Sequence, residues 1–347
     1  MKTPDEQKKT KGLTVAGIGE FGLIDRIKSM INPSMSDNVI IGIGDDTAAI
    51  KIDENKVLLA TCDIQVEDIH FKLDFISPYQ LGKRAIAVNL SDIGSMGGKP
   101  TFALVSMALP KKMSVDNFDE VIRGMQDQMK QFSGSIIGGN LARTNQGLII
   151  DIFMMGEAQA GRILTRSGAK AGNLIFTTGC AGSSAFGLKI LQKFGKRFPA
   201  EYDRLVKKQL EPEPRIELAC RLAESNFVTS MIDTSDGLGA DLKHICDGSE
   251  VGAELYQDEI PVEELVDDYV AESEINKWKQ ILFGGEDYEL LFTAPSKYED
   301  QIKEISKSSG IPITKIGKIT EPESGLAVIK DDGSRMVLDG EGWNHFR

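Results

Sequence analysis

The chain has 347 residues, 41% hydrophobic and 27% charged, with a formal net charge of -12. That length accommodates two domains of roughly 100–200 residues each, and the acidic excess argues against a general nucleic-acid or anionic-membrane binder. Four scattered cysteines with no CxxC pair, beside three histidines, speak against a zinc site and read as reduced thiols.

In chain order, the charged start Met1–Gly12 lacks a signal-peptide core, and no apolar run approaches the ~18–20 residues that span a bilayer. A tail over residues 1–16 and a cytoplasmic protein are expected. Helical spacing of Phe21, Ile24, Ile27 and Ile31 predicts a helix over Glu20–Ile31. Strands are predicted over Val39–Ile43, Thr47–Ile52 and Val57–Asp63. Ser77-Pro78 reads as an N-cap with proline at the first helical position, opening a helix to about Met96. A strand Phe102–Leu109, a helix Val115–Phe132 and strands Ser135–Gly138 and Leu148–Gly156 complete the first half.

The Gly-, Ala- and charge-rich stretch Gly156–Asn173 predicts a boundary, with domains over 17–157 and 158–347. Beyond it come a strand Leu174–Thr178, a helix Ser183–Lys193, two more helices, a strand ending at Asp233 and a helix from Leu238. The last part carries a strand Tyr288–Thr293, a helix, and a hairpin turning at Asp332-Gly333. The expected fold class is α/β in two unequal halves.

Gly17, Gly19 and Gly22 spell GxGxxG, but a lysine-rich segment stands where the dinucleotide fingerprint needs a strand. No GxxxxGK[ST] occurs, and the SxxK and SDN matches come in the wrong order for a β-lactamase.

Four segments instead end a hydrophobic run in aspartate: VIIGIGDD (Asp45, Asp46), VLLATCD (Asp63), AIAVNLSD (Asp92) and FVTSMIDTSD (Asp233, Asp236). One such aspartate is usually a turn residue or cap. Four of them bring negative charges together where elements leave a buried core, and bound cations must offset the repulsion. Asp92 sits near a helix C-terminus, where the macrodipole disfavours a carboxylate, and Asn89 at i-3 is placed to add an oxygen. For Asp236 a helix-capping role competes with metal ligation. Hard oxygen donors point to several Mg²⁺ ions, which complete their shells with water and substrate phosphates. An ATP-using phosphoryl-transfer enzyme is the expectation. Arg143, Arg162, Arg166 and Lys170 are the cations expected at turns.

These residues resemble the thiamine-monophosphate kinase family of the aminoimidazole-ribotide-synthetase-like ATP-binding superfamily. The likeness runs from GEFGLI (Gly19–Ile24) through GIGDD, TCDIQVEDIHF, NLSDIGSMGG, GGN (Gly138–Asn140), LTRSGAKAG, IDTSDGL and FGGEDYELLFT to GEGWNHF (Gly340–Phe346). It implies that ATP gives its γ-phosphoryl group directly to thiamine monophosphate, without a phosphoenzyme or a protein nucleophile. It further implies metal ligation by Asp46, Thr61, Cys62 (through its carbonyl), Asp63, Asp92, Asn140, Asp233 and Asp236. ATP contacts fall on Gly139, Asn140, Arg166 and Ser235, and acceptor contacts on His70, Glu286 and Trp343. The family usually has GGD where this chain has Gly138-Gly139-Asn140, so one negative charge is lost. The resemblance also implies a homodimer formed through the N-terminal sheet domain. The alternatives are another ATP-using enzyme of the superfamily and a nucleotide-binding regulator with reduced turnover.

Overall fold

The computed structural model describes residues 14–31 and 36–338. The expected tail falls largely outside the described residues, as does Trp343, and its last residues begin a single helical turn, α1 (Val15–Ile18). Helix α2 covers Glu20–Ile31 as its apolar spacing predicts, but none of its residues is buried.

The first half builds a six-stranded sheet from β1 (Val39–Ile41), β2 (Ala48–Lys51), β3 (Lys56–Val66), β4 (Lys99–Pro110), β5 (Ser135–Thr144) and β6 (Ile149–Gln159), in the order β1-β2-β3-β6-β4-β5. Two helices, α3 (Pro78–Ser95) and α4 (Val115–Gln131), cover one face. The expected cap of α3 is a full capping box: Ser77 accepts from the Gln80 N–H while the Gln80 side chain accepts from the Ser77 N–H. The two helices touch through glycine. A Cβ on Gly82 would lie 2.0 Å from the Val121 carbonyl oxygen, and one on Gly124 2.0 Å from that of Tyr79. That contact lets the two helix backbones approach closely.

Strand β3 alternates. Val57, Leu59, Thr61, Asp63 and Gln65 face α3, whereas Cys62 and Ile64 face the opposite, open side. On that side Ile64, Phe102, Leu104 and Phe153 are all more than a third exposed, with Leu104 and Phe153 directly opposite across β4–β6. β5 runs six residues past its predicted end, so Arg143 lies on an edge strand and not in a turn.

The second half packs α5 (Ser183–Phe194), α6 (Asp203–Leu210), α7 (Ile216–Glu224), α8 (Leu238–Ser249), α9 (Glu264–Ala271), α10 (Lys277–Phe283) and α11 (Glu299–Ser309) around a seven-stranded sheet. Its strands are β7 (Asn173–Thr178), β8 (Ser230–Asp233), β9 (Gly252–Tyr256), β10 (Leu290–Pro295), β11 (Ile313–Thr320), β12 (Leu326–Ile329) and β13 (Arg335–Val337), in the order β13-β12-β9-β11-β7-β10-β8. Only β12–β9 is parallel among its pairs. The predicted strand Tyr288–Thr293 starts later, at Leu290. Residues 284–288 form a loop instead, with Gly285, Glu286 and Tyr288 all at positive φ. The two non-glycine residues are held in a sparsely populated backbone region. The expected hairpin is the β12–β13 pair, with Gly333 in its turn at φ 79°.

Candidate active site

Between the halves lies a cleft of about 1380 Å³, lined by β3, α3, the start of α2, the Ser235–Asp236 loop and the 284–288 loop. Four aspartates from distant parts of the chain meet here: Asp46 before β2, Asp63 within β3, which runs past its predicted end to Val66, Asp92 on α3 and Asp233 at the end of β8. Thr61 Oγ1 donates to Asp92 Oδ2 at 2.7 Å and to the Asp46 carbonyl oxygen at 3.3 Å. The Asp63 N–H donates to Asn89 Oδ1 at 3.1 Å, and Ser91 donates to Asp233. The Asn89 oxygen is therefore engaged by the chain itself; the sequence reading had offered it to a metal. Asp46 receives Arg166 Nε at 2.9 Å, Arg166 Nη2, and the Ser95 hydroxyl.

The electrostatics follow from that crowding. Burial, then the charges of Asp63, Asp233 and Asp46, push Asp92 well above the usual carboxylate range. Burial and Asp46 push Asp233 up to about 8, although Ser91 and Arg166 act the other way. Burial and Asp46 raise Asp45 to about 6, and burial and Glu20 raise Asp236 to about 6. Burial works against the charge on Arg166, but Asp46 outweighs it and holds the guanidinium protonated. One arginine against so many carboxylates leaves the cluster under-neutralised. A set of buried, mutually repelling oxygen donors of this kind fits a hard divalent cation.

Asp236 does not cap α8. The cap residue is Gly237, and no side chain caps it. Asp241, unnoticed in the sequence, accepts from the Asp236 and Gly237 N–H groups at 3.2 and 3.0 Å. Asp236, Asp241 and His244 bring ligand atoms within 4.8 Å of one another. Asp241 and His244 lie on one face of α8 at i and i+3, a spacing visible in the sequence only once the helix start is known.

In the 284–288 loop, Glu286 accepts from Arg84 and, at 2.9 Å, from Gln209 Nε2. Arg84 is 1% exposed and also donates to the Gln209 carbonyl. A wholly buried arginine in the middle of an apolar helix run was the available signal for this residue. His70 lines the cleft, and its Nδ1 accepts from the Val66 N–H at 3.0 Å. Ser235 lines it too, its carbonyl accepting from the Glu286 N–H.

Two expected residues, Gly139 and Asn140, do not line this cleft within one chain, whereas Cys62 lines it with its side chain turned away. The Cys62 side chain points to the open face of the sheet, its Sγ 3.1 Å from Asp151 Oδ1. Gly139 and Asn140 lie on β5, separated from β3 by β6 and β4, roughly 14 Å at ordinary strand spacing. Gly139 has a packing reason of its own, since a Cβ there would lie 1.8 Å from the Val105 carbonyl oxygen.

Comparison with known proteins accords with this geometry. The family model described as AIR synthase related protein, N-terminal domain, matches residues 44–158, and that for the C-terminal domain matches residues 170–330. The chain is 34% identical over 335 residues to the thiamine-monophosphate kinase of Bacillus subtilis (strain 168), covering 94% of this chain and 99% of that one. It is 37% identical over 331 residues to the thiamine-monophosphate kinase of Escherichia coli (strain K12), covering 94% and 98%. The solved structure of AaThiL complexed with AMPPCP and TMP superposes with a TM-score of 0.83 at 31% identity, covering 96% of this chain and 99% of that one.

Proposed function

The chain belongs to the AIR synthase related family, on its thiamine-monophosphate kinase branch, and we propose that it transfers the γ-phosphoryl group of ATP to thiamine monophosphate. The observation that carries this reading is the convergence of Asp46, Asp63, Asp92 and Asp233 in a cleft that Glu286 also lines. The polyanionic phosphates belong at the aspartates, and the heterocycle of the acceptor beside Glu286 and His70.

Asp46, Asp63, Asp92, Asp233 and Asp236, with the Thr61 hydroxyl, are the residues that would hold Mg²⁺. Magnesium bound there supplies the charge neutralisation that lets two phosphate groups approach in line. Arg166 lines the cleft with Nε and Nη2 held by Asp46, and is the guanidinium that would meet a nucleotide phosphate. The acceptor is its own nucleophile: the second pKa of a phosphate monoester is near ~6, so the attacking oxygen is ionised at neutral pH and no general base is needed. The side chains agree, since Cys62 faces away and His70 Nδ1 is occupied by a backbone N–H. Positioning and charge are what the protein contributes. A coupled assay with thiamine monophosphate, ATP and magnesium tests the reading; absence of thiamine diphosphate sinks it. Label from γ-labelled ATP retained on denatured protein would contradict direct transfer.

A homodimer through the open sheet face is part of the proposal. Isolated apolar side chains on a surface mean little, but Ile64, Phe102, Leu104 and Phe153 occupy one continuous face. Asn140, opposite Ser106, lies on β5, an edge strand of the same sheet, so Gly139 and Asn140 would serve a site shared with a second copy. Sedimentation of Phe153→Glu checks this, with a monomer expected. The four unpaired cysteines and the lack, among the described residues, of a helix able to cross a membrane fit a cytoplasmic enzyme.

A further inference from the structure

The cleft contains a buried polar group that the chain leaves unsatisfied. Gln65 lies in the inward row of β3 with Thr61 and Asp63, is 4% exposed and lines the cleft. Its Oε1 has no hydrogen-bond partner, and Nε2 reaches only the Ile64 carbonyl at 3.4 Å. Buried side-chain amides are nearly always paired, because leaving one unpaired costs its full desolvation. The Gln65 Oε1 is sealed from solvent as the side chain stands, and a turn of that side chain toward the cleft would pair it with a bound molecule.

Two contacts fix which part of the ligand that is. Thr61 meets Asp92, and the Asp63 N–H meets Asn89, so α3 runs antiparallel to β3 across the cleft. Gln65 is roughly 13 Å along β3 from Thr61 at strand rise. The same distance along α3 at ~1.5 Å per residue ends at the Arg84–Ala85 turn. Arg84 is the residue that holds Glu286, and His70 receives the N–H of Val66, next to Gln65. Gln65 therefore lies past Asp63 along β3, on the side of the cleft toward Arg84 and His70.

We infer that Gln65 is a specificity-determining contact to the aminopyrimidine edge of the acceptor, an inference that rests on thiamine monophosphate being that acceptor. A side-chain amide offers a donor and an acceptor side by side. An aminopyrimidine presents the complement, an exocyclic N–H beside a ring nitrogen, the pairing that glutamine makes with adenine in nucleic acids. Glu286 and Arg84 are paired with each other and suit charge, not this neutral edge. Adenine carries the same edge, so ATP is the competing source of the ligand group. The position of Gln65 beside Val66, whose N–H is held by His70, favours the acceptor.

Steady-state kinetics of the full-length protein with Gln65→Leu test the assignment. The expected result is a KM for thiamine monophosphate about tenfold higher, the scale of one lost hydrogen bond, with kcat and the KM for ATP within about twofold. Thermal stability should be equal or higher, because an unpaired buried amide has been removed; a purely structural glutamine would move it the other way. Gln65→Met, which keeps the length of the side chain, gives the same readout if the leucine variant folds poorly. A KM for the acceptor unchanged from wild type overturns the inference, and so does a rise confined to ATP. Calorimetric titration with thiamine monophosphate alone separates this from the functional reading. Wild-type binding that weakens in the variant upholds the contact even without turnover. An active wild type whose variant binds equally well sinks the contact and leaves the kinase standing. A wild type that neither binds nor reacts sinks both.

Discussion

Two buried carboxylates sit almost side by side where β8 meets β10, and their surroundings have opposite sense. Asp233 pairs in register with Leu290, and Glu289 immediately precedes that residue. Glu289 receives two N–H groups of Arg215, the Thr178 hydroxyl at 2.6 Å and Lys208 Nζ at 3.4 Å. Burial pushes its carboxyl up, yet Arg215 and Lys208 outweigh burial and hold it below the usual glutamate value. Asp233 has the same burial, but Asp46 and Asp63 are its neighbours, and it rises to about 8. The first is a finished structural ion pair. The second is a site whose charge is left for something else to balance.

The largest effect that could break this contrast is expected from Asp92→Ala. Turnover should fall about 10²–10³-fold, the scale of removing one preorganised electrostatic contact, while the metal-free protein becomes more heat-stable because a repelling charge is gone. Near-normal turnover would remove Asp92 from the site. Glu289→Ala should do the reverse. Breaking a buried pair costs about 3–5 kcal/mol, read by denaturant unfolding, while turnover per folded molecule stays close to wild type.

A smaller, graded effect comes from pH. The folded-state values of Asp45 and Asp236 are about 6 and that of Asp233 about 8, against an ordinary value of 3.8. Between those limits the folded chain holds more protons than the unfolded one, so stability is lost as pH rises from about 4 to about 8. Magnesium should therefore raise the Tm more at pH 8 than at pH 6 and release protons on binding, measurable by calorimetry in two buffers of different ionisation heat. An equal Tm increment at both pH values would count against the cluster as the cation site. The smallest effect is expected from Asn140→Asp, which restores the missing charge and should lower the magnesium concentration for half-maximal rate by a few-fold. Unchanged magnesium dependence would show that position 140 does not meet the metal.

The order of elements, the Ser77 N-cap, the β12–β13 turn and the placement of aspartates at the ends of apolar runs were all readable along the chain. Capping, turn chemistry and hydrophobic period are local properties of a few consecutive residues, and family motifs extend that reading across the chain. What the sequence could not supply was which polar groups the fold would already have used. Asn89 spends its oxygen on the Asp63 N–H, Asp241 and not Asp236 supports the start of α8, and Gly139 is required by its contact with Val105. The same holds for the cleft. Only the packing of α3 on β3 sets Asp92 beside Thr61, and the same fold leaves Gln65 Oε1 unpaired. Sequence by itself determined a carboxylate-rich α/β enzyme with a phosphate chemistry. Tertiary structure decided which of its polar groups remain open to a ligand, because hydrogen-bond partners are chosen between residues far apart in the chain.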